Sequence, residues 1–245
     1  MGELIAVLSG KGGTGKTSVC AGLATALADA GTKVLCIDCD VGLRNLDISL
    51  GMAELGCLSF IDVCNGEYTL TQACQHPLYP NLQLLTAPMN MGAADVDHKA
   101  FANMLRQARD AYSYVFLDAP AGIDAGFSLA AQYADRVVLV TGSDPASVRD
   151  ARRTGDLLEQ MGKTDVRLVV NRVSKKIFSD LGSTVDDIMD QAGLPLIGII
   201  PEDASVTLAA AFEKPLLKHS KRGAASAACR RIAKRLQGLS IPVDL

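Results

Sequence analysis

Eight residues near the start of the chain, Gly10-Lys11-Gly12-Gly13-Thr14-Gly15-Lys16-Thr17, restrict its fold more than any other segment. They follow an apolar run, Leu4 to Leu8, and precede a stretch of helical spacing in which Leu23, Ala26 and Leu27 share a face. Strand, glycine-rich loop and helix in this order make a phosphate loop, G-x-x-x-x-G-K-[ST]. Its glycines let the backbone curl until the N–H groups of Gly12, Gly13, Thr14 and Gly15 face inward, and the helix start adds the positive end of its dipole. Lys16 would then reach the outer phosphates, the Thr17 hydroxyl would bind Mg²⁺, and Ser18 would offer a further hydroxyl. The expected ligand is a nucleoside triphosphate.

Apolar runs alternate with helical patterns along the rest of the chain. Strands are expected at Leu4–Ser9, Lys33–Asp38, Leu82–Ala87, Tyr114–Asp118, Arg136–Thr141, Val166–Asn171 and Leu196–Ile200. Helical spacing joins Val148, Ala151, Leu157, Leu158 and Met161, and again Val185, Ile188, Met189 and Ala192, where Thr184 and Asp187 form a capping-box pattern. With 49% hydrophobic residues and no Trp, the interior is aliphatic, which suits buried parallel strands. The pattern implies an α/β fold: a doubly wound, mostly parallel sheet with helices on both faces, in one domain over residues 1–245. Ligands of such sheets bind beyond the carboxyl ends of the strands, where Ser9, Asp38, Asp118, Thr141 and Asn171 should gather.

Asp118 ends an apolar strand and is the expected second nucleotide motif, holding Mg²⁺ directly or through water. Asp38 is assigned to the metal and lysine shell, and Asp40 to the attacking water. Asn171 offers a donor and an acceptor, which match one edge of adenine, and Arg172 follows it. An ordinary phosphate loop needs only Lys16. Lys11, at the loop's beginning, would point away from its own nucleotide and becomes useful when another subunit presents phosphates to it. Such an in-trans cation is worth roughly 10³–10⁵ in rate.

A formal charge of −3 argues against a general polyanion binder, and no apolar stretch approaches the length of a membrane span. The N-terminus has no signal-peptide pattern, and seven cysteines in such a chain are expected as reduced thiols in the cytoplasm. Cys36 and Cys39 spell C-x-x-C at a strand end, where residues three apart point to opposite faces, so they are expected as packed thiols.

Lys11 to Thr17 resembles the deviant phosphate loop of the MinD/ParA family of ATPases. The resemblance continues through Asp38-Cys39-Asp40-Val41-Gly42-Leu43-Arg44-Asn45-Leu46-Asp47, Asp118-Ala119-Pro120-Ala121-Gly122-Ile123, Ser147-Val148-Arg149-Asp150 and Ile200-Pro201-Glu202-Asp203, from residue 3 to about 237, and is similar to the MinD branch in particular. It implies a Mg²⁺-dependent ATP hydrolase that forms a homodimer when ATP is bound, with Lys11, Lys16 and Asp40 as catalytic residues. Adenine would sit near Asn171, Arg172, Pro201, Glu202 and Asp203. The branch positions the division septum by holding the inhibitor MinC at the membrane, and MinE or another activator triggers hydrolysis. That implies a cytoplasmic protein reversibly peripheral to the inner face of the membrane.

The C-terminus departs from the family's amphipathic membrane helix. A helix from about Gly223 to Leu236 puts Ala225, Ala228, Cys229, Ile232 and Leu236 on one face, with Arg230, Arg231, Lys234 and Arg235 on the other. Only a short tail with Pro242 and Asp244 follows, and the apolar stripe reads as core-facing. Lys214 to Arg235 nevertheless holds eight basic side chains and no acidic one, which suits anionic lipid or DNA phosphate. The alternative is thus a ParA-like ATPase that positions DNA or other cargo by nonspecific DNA binding. An iron–sulfur carrier on the same fold would need interface cysteines, and none lies between Cys74 and Cys229.

Overall fold

The structure is a computed structural model that describes residues 1–174 and 184–243, so Asp244 of the tail lies outside the described residues. Its strands are β1 (Glu3–Leu8), β2 (Val34–Asp38), β3 (Cys74–Gln75), β4 (Leu82–Leu85), β5 (Tyr114–Asp118), β6 (Arg136–Thr141), β7 (Val166–Val173) and β8 (Leu196–Pro201). The helices are α1 (Lys16–Asp29), α2 (Leu46–Leu50), α3 (Phe60–Cys64), α4 (His98–Ala111), α5 (Ala125–Tyr133), α6 (Pro145–Gln160), α7 (Val185–Ala192), α8 (Ala204–Ala211), α9 (Leu216–His219) and α10 (Ala224–Leu236).

One eight-stranded sheet runs in the order β3-β4-β2-β5-β1-β6-β7-β8. Every pairing is parallel except β3 with β4, so seven carboxyl ends point to one edge. Alternation sorts the side chains: Leu4, Ala6 and Leu8 enter the layer under α4, α5 and α6, whereas Ile5 and Val7 enter the layer under α1 and α10. The apolar stripe of α10 is buried as expected. The Thr184–Asp187 capping box closes α7, with the Asp187 carboxylate accepting the Thr184 N–H at 2.7 Å.

Two expectations change. The strand anticipated to Ala87 stops at Leu85, because Thr86 turns to pair with Ser59 and its carbonyl accepts the Phe60 N–H at 2.9 Å. The two-residue edge strand β3 carries no pattern of its own and lies antiparallel on β4. Cysteine chemistry also needs correcting. Cys36 and Cys39 are buried free thiols, but Cys57 and Cys74 are joined as a disulfide and are not reduced thiols. The pairing Cys74↔Leu84 sets Cys74 beside the end of β4 that also holds the segment at Cys57.

Helices α1 and α10 cross closely at Gly22, where a Cβ would lie 2.7 Å from Cys229 Sγ. Overpacking such a crossing costs about 1–3 kcal/mol. Gly22→Val should lose that amount in urea unfolding, and Cys229→Ala in the same chain should restore part of it. An unchanged midpoint for Gly22→Val would contradict the close approach.

Candidate nucleotide site

The loop between β1 and α1 lies at the centre of the carboxyl edge, with β5 and β6 on either side of β1. Gly15 caps α1 with φ +84°, a left-handed conformation that glycine adopts without strain. A Cβ there would also meet Asn171 Nδ2 at 2.4 Å. That side chain donates to the Thr14 carbonyl at 2.8 Å, which ties β7 to the loop and leaves the amide oxygen of Asn171 free as an acceptor. The turn after β5 closes the other side. Gly122 N–H donates to the Ser9 carbonyl at 3.1 Å, and Ala121 Cβ lies 3.9 Å from the position of a Cβ on Gly12.

Lys16 opens α1 and is buried, with Nζ 2.7 Å from Asp118 Oδ1 and 3.2 Å from Thr17 Oγ1. Burial works against its ammonium, but the Asp118 carboxylate more than offsets this and raises its pKa. Burial also pushes the Asp118 carboxyl upward, with Lys16 opposing. Thr14 Oγ1 and Ser9 Oγ are buried without a hydrogen-bond partner among the described residues. An orphan hydroxyl in a loop of inward N–H groups fits a phosphate oxygen.

Asp38 is engaged with the backbone of the loop that follows it. Its carboxylate accepts the N–H groups of Asp40 (2.9 Å), Asn45 (3.1 Å) and Leu46 (3.1 Å), so it anchors the turn that carries Asp40. Burial, then the neighbouring Asp118 carboxylate, push its pKa up to about 6. Its oxygens are thus spent on backbone rather than on Lys16. Asp40 is half-buried, its carboxyl raised by burial and drawn back by Lys16. The turn passes through Arg44 at φ +42°, steadied by an ion pair to Asp47 at 2.7 Å.

Beside α1 opens a cavity of about 470 Å³, lined by Ser18, Val19, Asn171, Arg172, Pro201 and Cys229 among others. Its size suits a nucleobase and ribose. Pro201, Glu202 and Asp203 all line it, but the Asp203 carboxylate is committed elsewhere. It accepts the N–H of Ser205 at 2.9 Å and of Ala225 at 3.1 Å, and so caps both α8 and α10. These bonds outweigh burial and hold its pKa below the usual carboxylate range.

Lys11 is not in the cradle with Lys16. It faces a separate cleft of about 230 Å³ with Thr14, Ser143, Asp144 and Arg172. Its Nζ is 3.9 Å from Asp144 Oδ1, and its side chain is 48% exposed. Asp144 caps α6, accepting the Ser147 hydroxyl at 2.5 Å and N–H at 3.0 Å, which hold its carboxyl below the ordinary value. Sequence reasoning missed Asp144, although Asp144-Pro145 reads as a helix N-cap with Pro at the first position. Arg172, at φ +56°, lines both this cleft and the larger cavity.

Among the described residues no cluster of His, Cys, Asp and Glu could hold a metal alone, and no helix is long and apolar enough to cross a membrane. A metal here would depend on Thr17, Asp118 and the phosphates themselves.

Comparisons with known proteins agree with this geometry. The family model for the CobQ/CobB/MinD/ParA nucleotide binding domain matches residues 5–216. The septum site-determining protein MinD of Synechocystis is 38% identical over 244 residues, covering 99% of this chain and 92% of that protein. A solved MinC:MinD cell division protein complex from Aquifex aeolicus superposes with a TM-score of 0.90 at 34% identity, covering 99% of this chain and 98% of that one. MinD of Pyrococcus horikoshii complexed with Mg-ADP gives a TM-score of 0.84 at 25% identity, with 96% of each chain covered. The phosphate loop, the paired carboxyl-edge acids and these relatives lead to one assignment: the chain belongs to the MinD/ParA family, on its MinD side, and is a MinD-like division-site ATPase.

Proposed function

We propose that the protein is an ATP-driven switch in which Mg²⁺ and ATP join two copies face to face and hydrolysis separates them. The observation that carries this reading is the position of Lys11. It lies outside the Lys16 cradle, beside Asp144, where a second molecule can reach it. Lys16, Thr14 and the loop N–H groups bind the triphosphate of their own subunit, and Lys16 exchanges Asp118 for phosphate oxygens. Mg²⁺, held by Thr17 and backed by Asp118, supplies charge neutralisation across the outer phosphates when bound. Asp40 orients a water toward the γ-phosphorus; the water oxygen bonds that phosphorus as its bond to the bridging oxygen breaks, and the water's proton passes to the released phosphate, giving ADP and inorganic phosphate. The partner subunit's Lys11 stabilises the charge that develops.

Asn171 reads the base. Its Nδ2 donates to the Thr14 carbonyl and the residue lines the cavity, so its amide oxygen would accept from the exocyclic amine of adenine and repel the carbonyl of guanine. Glu202 and Pro201 border the base, Arg172 its outer side, and Asp203 holds the cavity walls in place.

The dimer would serve septum placement by recruiting a MinC-like inhibitor, with a MinE-like activator triggering hydrolysis. The Aquifex relative's complex with MinC supports the first partner. Association with a membrane surface would use the basic C-terminal region, as would the nonspecific DNA binding of the ParA-like alternative. Arg235 donates to the carbonyls of Ile197 (2.8 Å) and Ile241 (2.9 Å), and Arg230 donates to that of Lys221 (2.7 Å). Lys214, Lys218, Lys221, Arg222 and Lys234 are exposed.

Lys16→Ala should abolish tight nucleotide binding in calorimetry. Lys11→Ala should keep binding within a few-fold but lose stimulated turnover by roughly 10³-fold or more, and full turnover would overturn the in-trans role. Asp40→Ala should hold an ATP-bound dimer without turnover, read by light scattering; a variant that stays monomeric with ATP contradicts its placement at the water.

A further inference from the structure

Cys57 and Cys74 are brought together beside β4 and are the cysteines joined as a disulfide among the described residues. Their Cα atoms are 5.2 Å apart, a separation that a disulfide spans without backbone movement. The Cys57 and Leu58 carbonyls accept the Thr86 hydroxyl at 3.3 and 3.1 Å, and Cys74 pairs with Leu84. Both cysteines are therefore held on the end of β4 by bonds that do not involve sulfur. Cys74 is half-buried on the edge strand, within reach of a small thiol. Of the other thiols, Cys20, Cys36, Cys39 and Cys229 are buried away from a small co-reactant. Burial raises those of Cys20 and Cys39 well above the ordinary range and pushes those of Cys64 and Cys229 up to about 12, so they stay neutral.

This pair sits in the frame behind the Asp40 turn. Two residues past Cys74, His76 Nε2 bonds the Leu50 carbonyl at 2.8 Å, at the end of α2. The N–H of Leu46, at the start of α2, is held by Asp38. Two residues past Thr86, the Pro88 carbonyl accepts the Gly42 N–H at 3.2 Å. The residues just past Cys74 and just past Thr86 thus contact the end of α2 and the turn before it.

We propose that Cys57 and Cys74 are a reversible oxidation site, a thiol–disulfide staple that sets the stiffness of α2 and the turn before it. Its co-reactant is a low-molecular-weight disulfide of the glutathione class. The Cys74 thiolate attacks that disulfide and expels one small thiolate; the Cys57 thiolate then attacks the Cys74 sulfur and expels the second. The two cysteines are oxidised by two electrons, the small disulfide is reduced to two thiols, and these carry away both protons. The proposal does not depend on nucleotide binding.

The test is alkylation of the denatured protein with intact mass, joined to amide hydrogen exchange of residues 46–52. After glutathione disulfide five thiols should alkylate, and after dithiothreitol all seven. The amides of residues 46–52 should exchange at least fivefold more slowly in the oxidised protein. Cys57→Ser/Cys74→Ser should show five thiols in both conditions and exchange like the reduced protein. Seven thiols after oxidant, a bond between other cysteines, or equal exchange in the two states would overturn the proposal.

Discussion

A buried ion pair organises the site. Lys16 opens the first helix and Asp118 ends the central strand 102 residues later, and both are almost wholly removed from water at 2.7 Å. Neither charge could stay buried alone, since an uncompensated one costs several kcal/mol. The pair fixes the phosphate loop against β5 and holds the lysine charged. It also leaves the site poised for exchange. In the proposed switch a triphosphate, which brings more negative charge to the ammonium than one carboxylate does, would take Lys16 over from Asp118.

The acids around this pair divide the work by where their oxygens are spent. Asp118 faces the lysine, and Asp38, directly opposite on β2, is turned to the backbone of the next loop. Asp40 keeps its carboxylate half-exposed because Asp38 holds the turn beneath it. Asp203 does the same for the base cavity by capping two helices at once. Asp38 and Asp203 thus both tie backbone N–H groups of neighbouring elements together at the carboxyl edge.

The buried parallel strands were legible in the sequence because both faces are apolar. Tyr114–Asp118 and Arg136–Thr141 read as uninterrupted runs and fold as such. The clustering of strand-end residues at one edge followed from parallel pairing alone. What escaped were bonds between residues far apart in the chain. Nothing near Asp38 announces that the N–H groups of residues 40, 45 and 46 will converge on it, since that path requires Arg44 in a left-handed conformation. The Asp203 bond to Ala225 spans 22 residues, and the Cys57–Cys74 bond depends on an edge strand of two residues with no periodicity.

The central claim is that a bound triphosphate, and not a diphosphate, brings two of these sites together. Sedimentation velocity measures it directly. With Mg²⁺ and ADP the 25.8 kDa chain should sediment as a monomer, and with Mg²⁺ and a slowly hydrolysed ATP analogue as a species of twice that mass. A monomer under both conditions, at concentrations where calorimetry shows the analogue bound, would contradict the account.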